Sequence, residues 1–167
     1  MVDLKDIIKK EGPLTCRRAL LRDLPRIAAE MREEDKQEVL AFSGLSPLAG
    51  LICGFNFSDE VFVVYETDTE APLFIFGYTV IEPPDLTACI WLLGTDKIKE
   101  HRRQFLQGSG LYVDYVQTKA KLLYNLVDQR NSIHIRWLKW LGFKFIKIEE
   151  NFGYEQRPFI EFARLRN

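Results

Sequence analysis

Asn131-Ser132-Ile133-His134-Ile135-Arg136-Trp137-Leu138-Lys139-Trp140-Leu141-Gly142-Phe143 is the stretch on which the reading of this chain turns. An Asn can open a helix by accepting a hydrogen bond from one of its free backbone N–H groups. A Gly can close it by taking the left-handed conformation that ends helices. Ile133, Trp137 and Leu141 recur at i, i+4, i+8, so they are expected on one face and in the core. After Gly142, Phe143 leads into a strand-like run over residues 144–148.

Working outward, residues 123–127 and 87–93 are apolar and bounded by turn signals, as buried central strands are. Residues 60–66 and 73–81 are rich in β-branched and aromatic side chains. The turn-like residues 67–72 between them make the pair a hairpin, and Pro83-Pro84-Asp85 ends it. Residues 143–149 and 158–164 read as the last two strands, and residues 14–19 as the first. Asp23 is placed to cap a following helix, with Pro25 tolerated in its first turn. Residues 32–42 read as a second helix. Residues 44–54 carry mixed signals and receive no assignment. A helical stretch is expected within residues 99–122, interrupted by Gly108-Ser109-Gly110. Strands, two helices, a hairpin, then alternating strands and helices make a mixed α/β domain with a central sheet flanked by helices. Residues 1–167 are expected to form one domain, with 1–13 a flexible or helical extension.

The Asn-led helix ending in Gly142-Phe143 resembles the last motif of the GNAT (GCN5-related N-acetyltransferase) superfamily. Arg17-Arg18-Ala19 followed by Asp23-Leu24-Pro25-Arg26-Ile27 resembles the opening of many of its members. Trp91, Tyr124-Asn125 and His134-Ile135-Arg136 give residues 90–162 a more specific resemblance to the small internal virion proteins of T7-like short-tailed phages, a diverged branch of that fold. The resemblance implies a single-domain GNAT-like fold with two central strands that splay apart. It implies acetyl-CoA as the candidate cofactor, its pantetheine arm in the gap and its pyrophosphate on backbone N–H groups at a helix N-terminus. The residues placed at such a site are Leu93, Gly108, Ser109, Gly110 and Asn131.

Two departures from the family pattern stand out. The pyrophosphate motif is Arg or Gln, two residues, Gly, one residue, Gly or Ala; here Phe105 stands where the Arg or Gln belongs, before Leu106-Gln107-Gly108-Ser109-Gly110. Many members also place a Tyr seven residues after the Asn, as the acid that protonates the departing thiolate; here Leu138 has no proton to give. General acid catalysis contributes about 10²–10⁴-fold. Tyr112, Tyr115, Tyr124 and Tyr154 are candidate substitutes, and Glu66, Glu82 and Asp96 lie at strand ends where a general base could sit. No catalytic residue is assigned.

His134, flanked by Ile133 and Ile135, reads as a structural hydrogen-bonding residue, and Cys89 as a buried inert thiol. Trp140 is placed to meet Arg136 or to anchor an interface. The basic run over residues 99–103 reads as a solvated helix face.

Bulk properties bound the rest. The chain has 167 residues, 47% hydrophobic and 13% aromatic, enough for a real core. Its net charge of −1 gives no pull toward nucleic acid or anionic lipid. Cys16, Cys53 and Cys89 are odd in number and lack metal-ligand spacing, so neither a disulfide framework nor a metal site is expected, and a reducing interior is. No run approaches a membrane span or a signal peptide. The expected setting is the cytoplasm of a host cell or a virion. Three readings follow from the resemblance: a phage-type protein acting through contacts with a phage or host protein, an active N-acetyltransferase on an amine of a small molecule or peptide, and an acyl-CoA-binding regulator without turnover.

Overall fold

The computed structural model describes residues 1–81 and 86–166; Glu82 and the expected Pro83-Pro84-Asp85 break lie outside the described residues. Eight strands form one sheet in the order β1-β2-β3-β4-β5-β6-β8-β7. They are β1 (Lys10–Glu11), β2 (Leu14–Arg18), β3 (Glu60–Glu66), β4 (Pro72–Ile81), β5 (Thr87–Gly94), β6 (Leu122–Asp128), β7 (Lys144–Phe152) and β8 (Arg157–Leu165). The helices are α1 (Leu4–Ile7), α2 (Leu24–Glu30), α3 (Glu33–Ser43), α4 (Pro47–Phe57), α5 (Arg102–Lys119) and α6 (Ser132–Trp140). All neighbouring strands run antiparallel except β5 and β6.

Period-2 alternation along the central strands divides the core into two layers. Ala88, Ile90 and Leu92 of β5 face the layer of α5 and α6, with Phe105, Val113, Val116 and Leu138. Trp91 and Leu93 face the opposite layer, where Leu24, Ile27 and Ala28 of α2 and Leu51 of α4 pack. The segment expected to be a flexible or helical extension forms the helix α1 and the short strand β1, and Ile7 of α1 is buried.

Local structure departs from expectation in four places. Asp23 does not cap α2; its carboxylate accepts from the Leu20 N–H at 2.8 Å and pairs with Arg17 at 2.8 Å, so it fixes the 3-10 turn Leu21–Asp23. Residues left unassigned around 44–54 contain α4, capped by Ser46, whose hydroxyl accepts from the Ala49 N–H, with Pro47 in the first turn. The expected face of α6 is buried in part: Leu141 is in the core and Trp137 packs against it, but Ile133 is 41% exposed, and Leu138 is fully buried. Finally, α5 runs unbroken through Gly108-Ser109-Gly110. Phe105, Ser109, Tyr112, Val113 and Val116 form a buried stripe at helical spacing, and burying that stripe outweighs the helix cost of two glycines, about 1 kcal/mol each.

The candidate cleft and its closed end

The ends of α6 form as their residues dictate. Asn131 Oδ1 accepts from the His134 N–H, and Gly142 sits at φ +82° while the Phe143 N–H donates to the Leu138 carbonyl. This fixes α6 beside the mouth of a gap between the two parallel strands. Pairing of β5 with β6 stops at Cys89↔Tyr124. Beyond it the strands diverge, and Asn125 Nδ2 bridges the opening by donating to the Ile90 carbonyl at 2.7 Å.

The gap is a cleft of about 400 Å³. Trp91, Leu92, Leu93, Leu126, Trp137 and Leu138 give it apolar walls, and α4 covers one side with Gly54 and Phe57. The Trp91 indole lies against Gly54 and Gly77, where an added Cβ would come within 3.1 and 2.9 Å of the ring, and its Nε1 donates to Ser58 Oγ.

The end of the cleft nearest the β5 terminus carries a polar network. Asp35 is fully buried. It takes two hydrogen bonds from Arg32, one from the Gly94 N–H at 2.7 Å and one from Asn131 Nδ2 at 3.3 Å. Glu38 Oε2 accepts from the Asp128 N–H at 3.0 Å and from Asn131 Nδ2 at 3.1 Å. Asp128 pairs with Arg130 at 2.6 Å. Burial, with the Asp35 charge adding to it, pushes the Glu38 carboxyl up to about 8. Burial lowers His134 to about 4, so at neutral pH its imidazole is uncharged.

The residues expected at a cofactor site are therefore dispersed. Leu93 lines the cleft. Asn131 is 2% exposed, and its amide is spent on the α6 cap and on Asp35 and Glu38. Gly108, Ser109 and Gly110 lie inside α5, not in a loop at its start, and interior helical N–H groups are already bonded to carbonyls four residues back. Ser109 is a strut between helices: its hydroxyl donates to the Leu106 carbonyl and accepts from Trp137 Nε1 at 3.0 Å.

The connection that follows β5 is a 3-10 helix, Asp96–His101. Its entry is tied down internally. The Thr95 N–H donates to the Leu73 carbonyl, and the Lys97 N–H donates to Thr95 Oγ1.

Among the four tyrosines considered as acids, Tyr112 alone lines the cleft, and its buried hydroxyl has no hydrogen-bond partner among the described residues. Tyr115 donates to Glu60, and Tyr154 is 70% exposed. Glu66 is a poor base: hydrogen bonds from Thr69 and His101 hold it down to about 2. Asp96 pairs with Lys99 at 2.6 Å on the surface. Glu66, Glu100 and His101 approach one another closely, but Lys97 Nζ lies 3.4 Å from Glu66 and 3.2 Å from Glu100, where a cation would have to sit. The sequence reading missed Asp35 and Glu38, which sit among the charged residues of α3; nothing in their spacing marks them.

No protein-family model and no curated protein sequence matches the chain. Solved structures do. The ribosomal-protein-S5-alanine acetyltransferase of Vibrio fischeri superposes with a TM-score of 0.66 over 94% of this chain and 95% of its own, at 14% identity. A GNAT-family acetyltransferase from Bacillus anthracis gives 0.69 over 93% and 96%, at 11% identity. The Vibrio cholerae spermidine N-acetyltransferase, solved with CoA and spermine, gives 0.66 over 92% and 95%, at 16% identity. With the splayed β5–β6 pair and the strand order above, these matches establish that the chain has the fold of the GCN5-related N-acetyltransferases.

Proposed function

We propose that this protein keeps the GNAT fold without acetyl-CoA-dependent turnover and acts through contacts with another protein. The observation that carries the reading is the closed end of the cleft. A pyrophosphate needs free N–H donors and a positive field. Here the Gly94 N–H is held by the buried Asp35, the N–H groups of Thr95 and Lys97 are used internally, and Glu38 puts a carboxyl group on the cleft lining at this end. This end does not fit the cofactor's phosphates. Leu138, fully buried where many members carry a tyrosine acid, supports the same reading. Contacts with a partner are supported by α4, which leaves Leu48, Ile52 and Phe57 exposed, Phe57 by 77%. The resemblance to internal virion proteins of short-tailed phages makes a phage or host protein the partner class.

The apolar cleft itself favours one second reading, a protein that holds an acyl-CoA arm without turning it over. Isothermal titration with acetyl-CoA, together with an acetylation assay on polyamines, peptides and aminoglycosides, separates the possibilities. The proposal expects neither heat nor product. Binding without product supports the second reading, and product overturns both.

A further inference from the structure

A second cavity, of about 320 Å³, lies between α5 and the β2–β5 part of the sheet, with α1 at its rim. Its size is within the range of small-molecule sites. Leu14, Val64, Phe74, Phe76 and Leu92 are among its apolar lining, and its charged and amide groups are Asp6, Lys9, Glu11, Arg103, Gln104 and Gln107.

Three features suggest that a ligand fills it. Gly108 lines the cavity, yet a Cβ added there would meet nothing within 4 Å. Glycine in a helix interior is less stable than alanine, and no neighbour forbids a side chain at this position. The protein's own packing therefore does not call for the glycine; a molecule lying against the helix would. Arg103, in the first turn of α5, is without an ion pair among the described residues, whereas Lys9 is held by Glu11 at 2.9 Å. Tyr112, on the wall shared with the strand cleft, buries a hydroxyl that has no partner among the described residues, so the shared wall has an unused polar group.

We propose that this cavity binds a medium-chain carboxylate, its chain lying along α5 past Gly108 and its carboxylate at Arg103. Gln104, Gly108 and Tyr112 all line the cavity at i, i+4, i+8 and so follow one face of α5 over a rise of about 12 Å, with Arg103 beside Gln104 at its start; that length accommodates a chain of roughly ten carbons. Arginine recognises carboxylates with paired N–H donors, so a neutral chain of equal length binds less well.

The experiment is displacement of a fluorescent polyene fatty acid by decanoate and by decanol, below their aggregation limits, with thermal melts on the same proteins. Decanoate is expected to displace the probe from the wild type. Gly108→Leu is expected to weaken decanoate at least tenfold while leaving the melting temperature equal or higher. Gly110→Ala, at a helical glycine that also has nothing within 4 Å but does not line the cavity, should melt higher and bind as wild type. Arg103→Gln should weaken decanoate about tenfold and leave decanol unchanged. Failure of decanoate to displace the probe from the wild type overturns the proposal, as does undiminished binding by Gly108→Leu. The acetyl-CoA titration reads the other cavity, so either proposal can fail without the other.

Discussion

His134 Nδ1 lies 4.0 Å from Glu38 Oε1, too far for a hydrogen bond, and this imidazole nitrogen has no other partner among the described residues. The two groups titrate in opposite senses. Glu38 is raised from 4.5 to about 8, so between those values the unfolded chain loses its proton before the folded one and stability falls as pH rises. His134 is lowered from 6.5 to about 4, so over that window the unfolded chain takes up a proton first and stability rises with pH. The two trends oppose one another below about pH 6.5. Above it Glu38 acts alone, and stability should fall by about 2 kcal/mol between pH 6.5 and 8. Glu38→Gln, which keeps an acceptor for Asp128 and Asn131, should flatten this slope and raise stability at pH 8. Urea melts at the two pH values check it, and an unchanged slope in the variant would assign the effect to another group.

Asp35 is the buried acceptor on which Arg32, Gly94 and Asn131 converge. Asp35→Ala leaves the Arg32 guanidinium buried without its partner, a loss of about 3–5 kcal/mol for such pairs. A melting temperature within a degree or two of wild type would show that Arg32 reaches solvent easily.

Gly142 is at φ +82° with only the Arg164 side chain near its Cβ position, at 3.9 Å. The cost of Gly142→Val is therefore backbone strain, about 1–3 kcal/mol. Gly142→Asn should be milder, because Asn tolerates this region. Equal melting of the two variants would remove the conformational argument.

Leu138→Tyr would place a phenol at the cleft, at an overpacking cost of about 1–3 kcal/mol. If the phosphate end is closed, the variant remains inactive with acetyl-CoA, because an acid has nothing to protonate until the thioester is in place. Measurable acetyl transfer by Leu138→Tyr would show that the closed end admits the cofactor.

The fold was legible where local chemistry and tertiary packing agree. Asn131 and Gly142 cap one helix, the β3–β4 hairpin follows from its composition, and the continuous apolar run of β5 marks a central strand. Local chemistry misled where packing overruled it. Gly108-Ser109-Gly110 looks like a turn, but the buried stripe from Phe105 to Val116 carries the helix through. In α4 the Ser46-Pro47 pair was a readable start signal, obscured by the glycines at 50 and 54. The polar end of the cleft could not be read at all. Asp35 and Glu38 look like members of a solvated acidic helix until Asn131, more than ninety positions away, is brought against them.

The early end of β5–β6 pairing has a mechanical consequence. Among the described residues β5 and β6 share three register pairs, Thr87↔Leu122, Ala88↔Leu123 and Cys89↔Tyr124, whereas β4 and β5 share eight and β6 and β8 share seven. The sheet is thus two stiff plates, β1–β5 and β6–β8–β7, meeting along a short seam latched by the Asn125 amide. A load that parts the plates opens three rungs, the Lys121 N–H to Leu86 carbonyl bond beside them and one latch, rather than a full ladder. Among the central strands the seam is the junction that yields first, and amide protons beside it are the first of those strands to meet solvent.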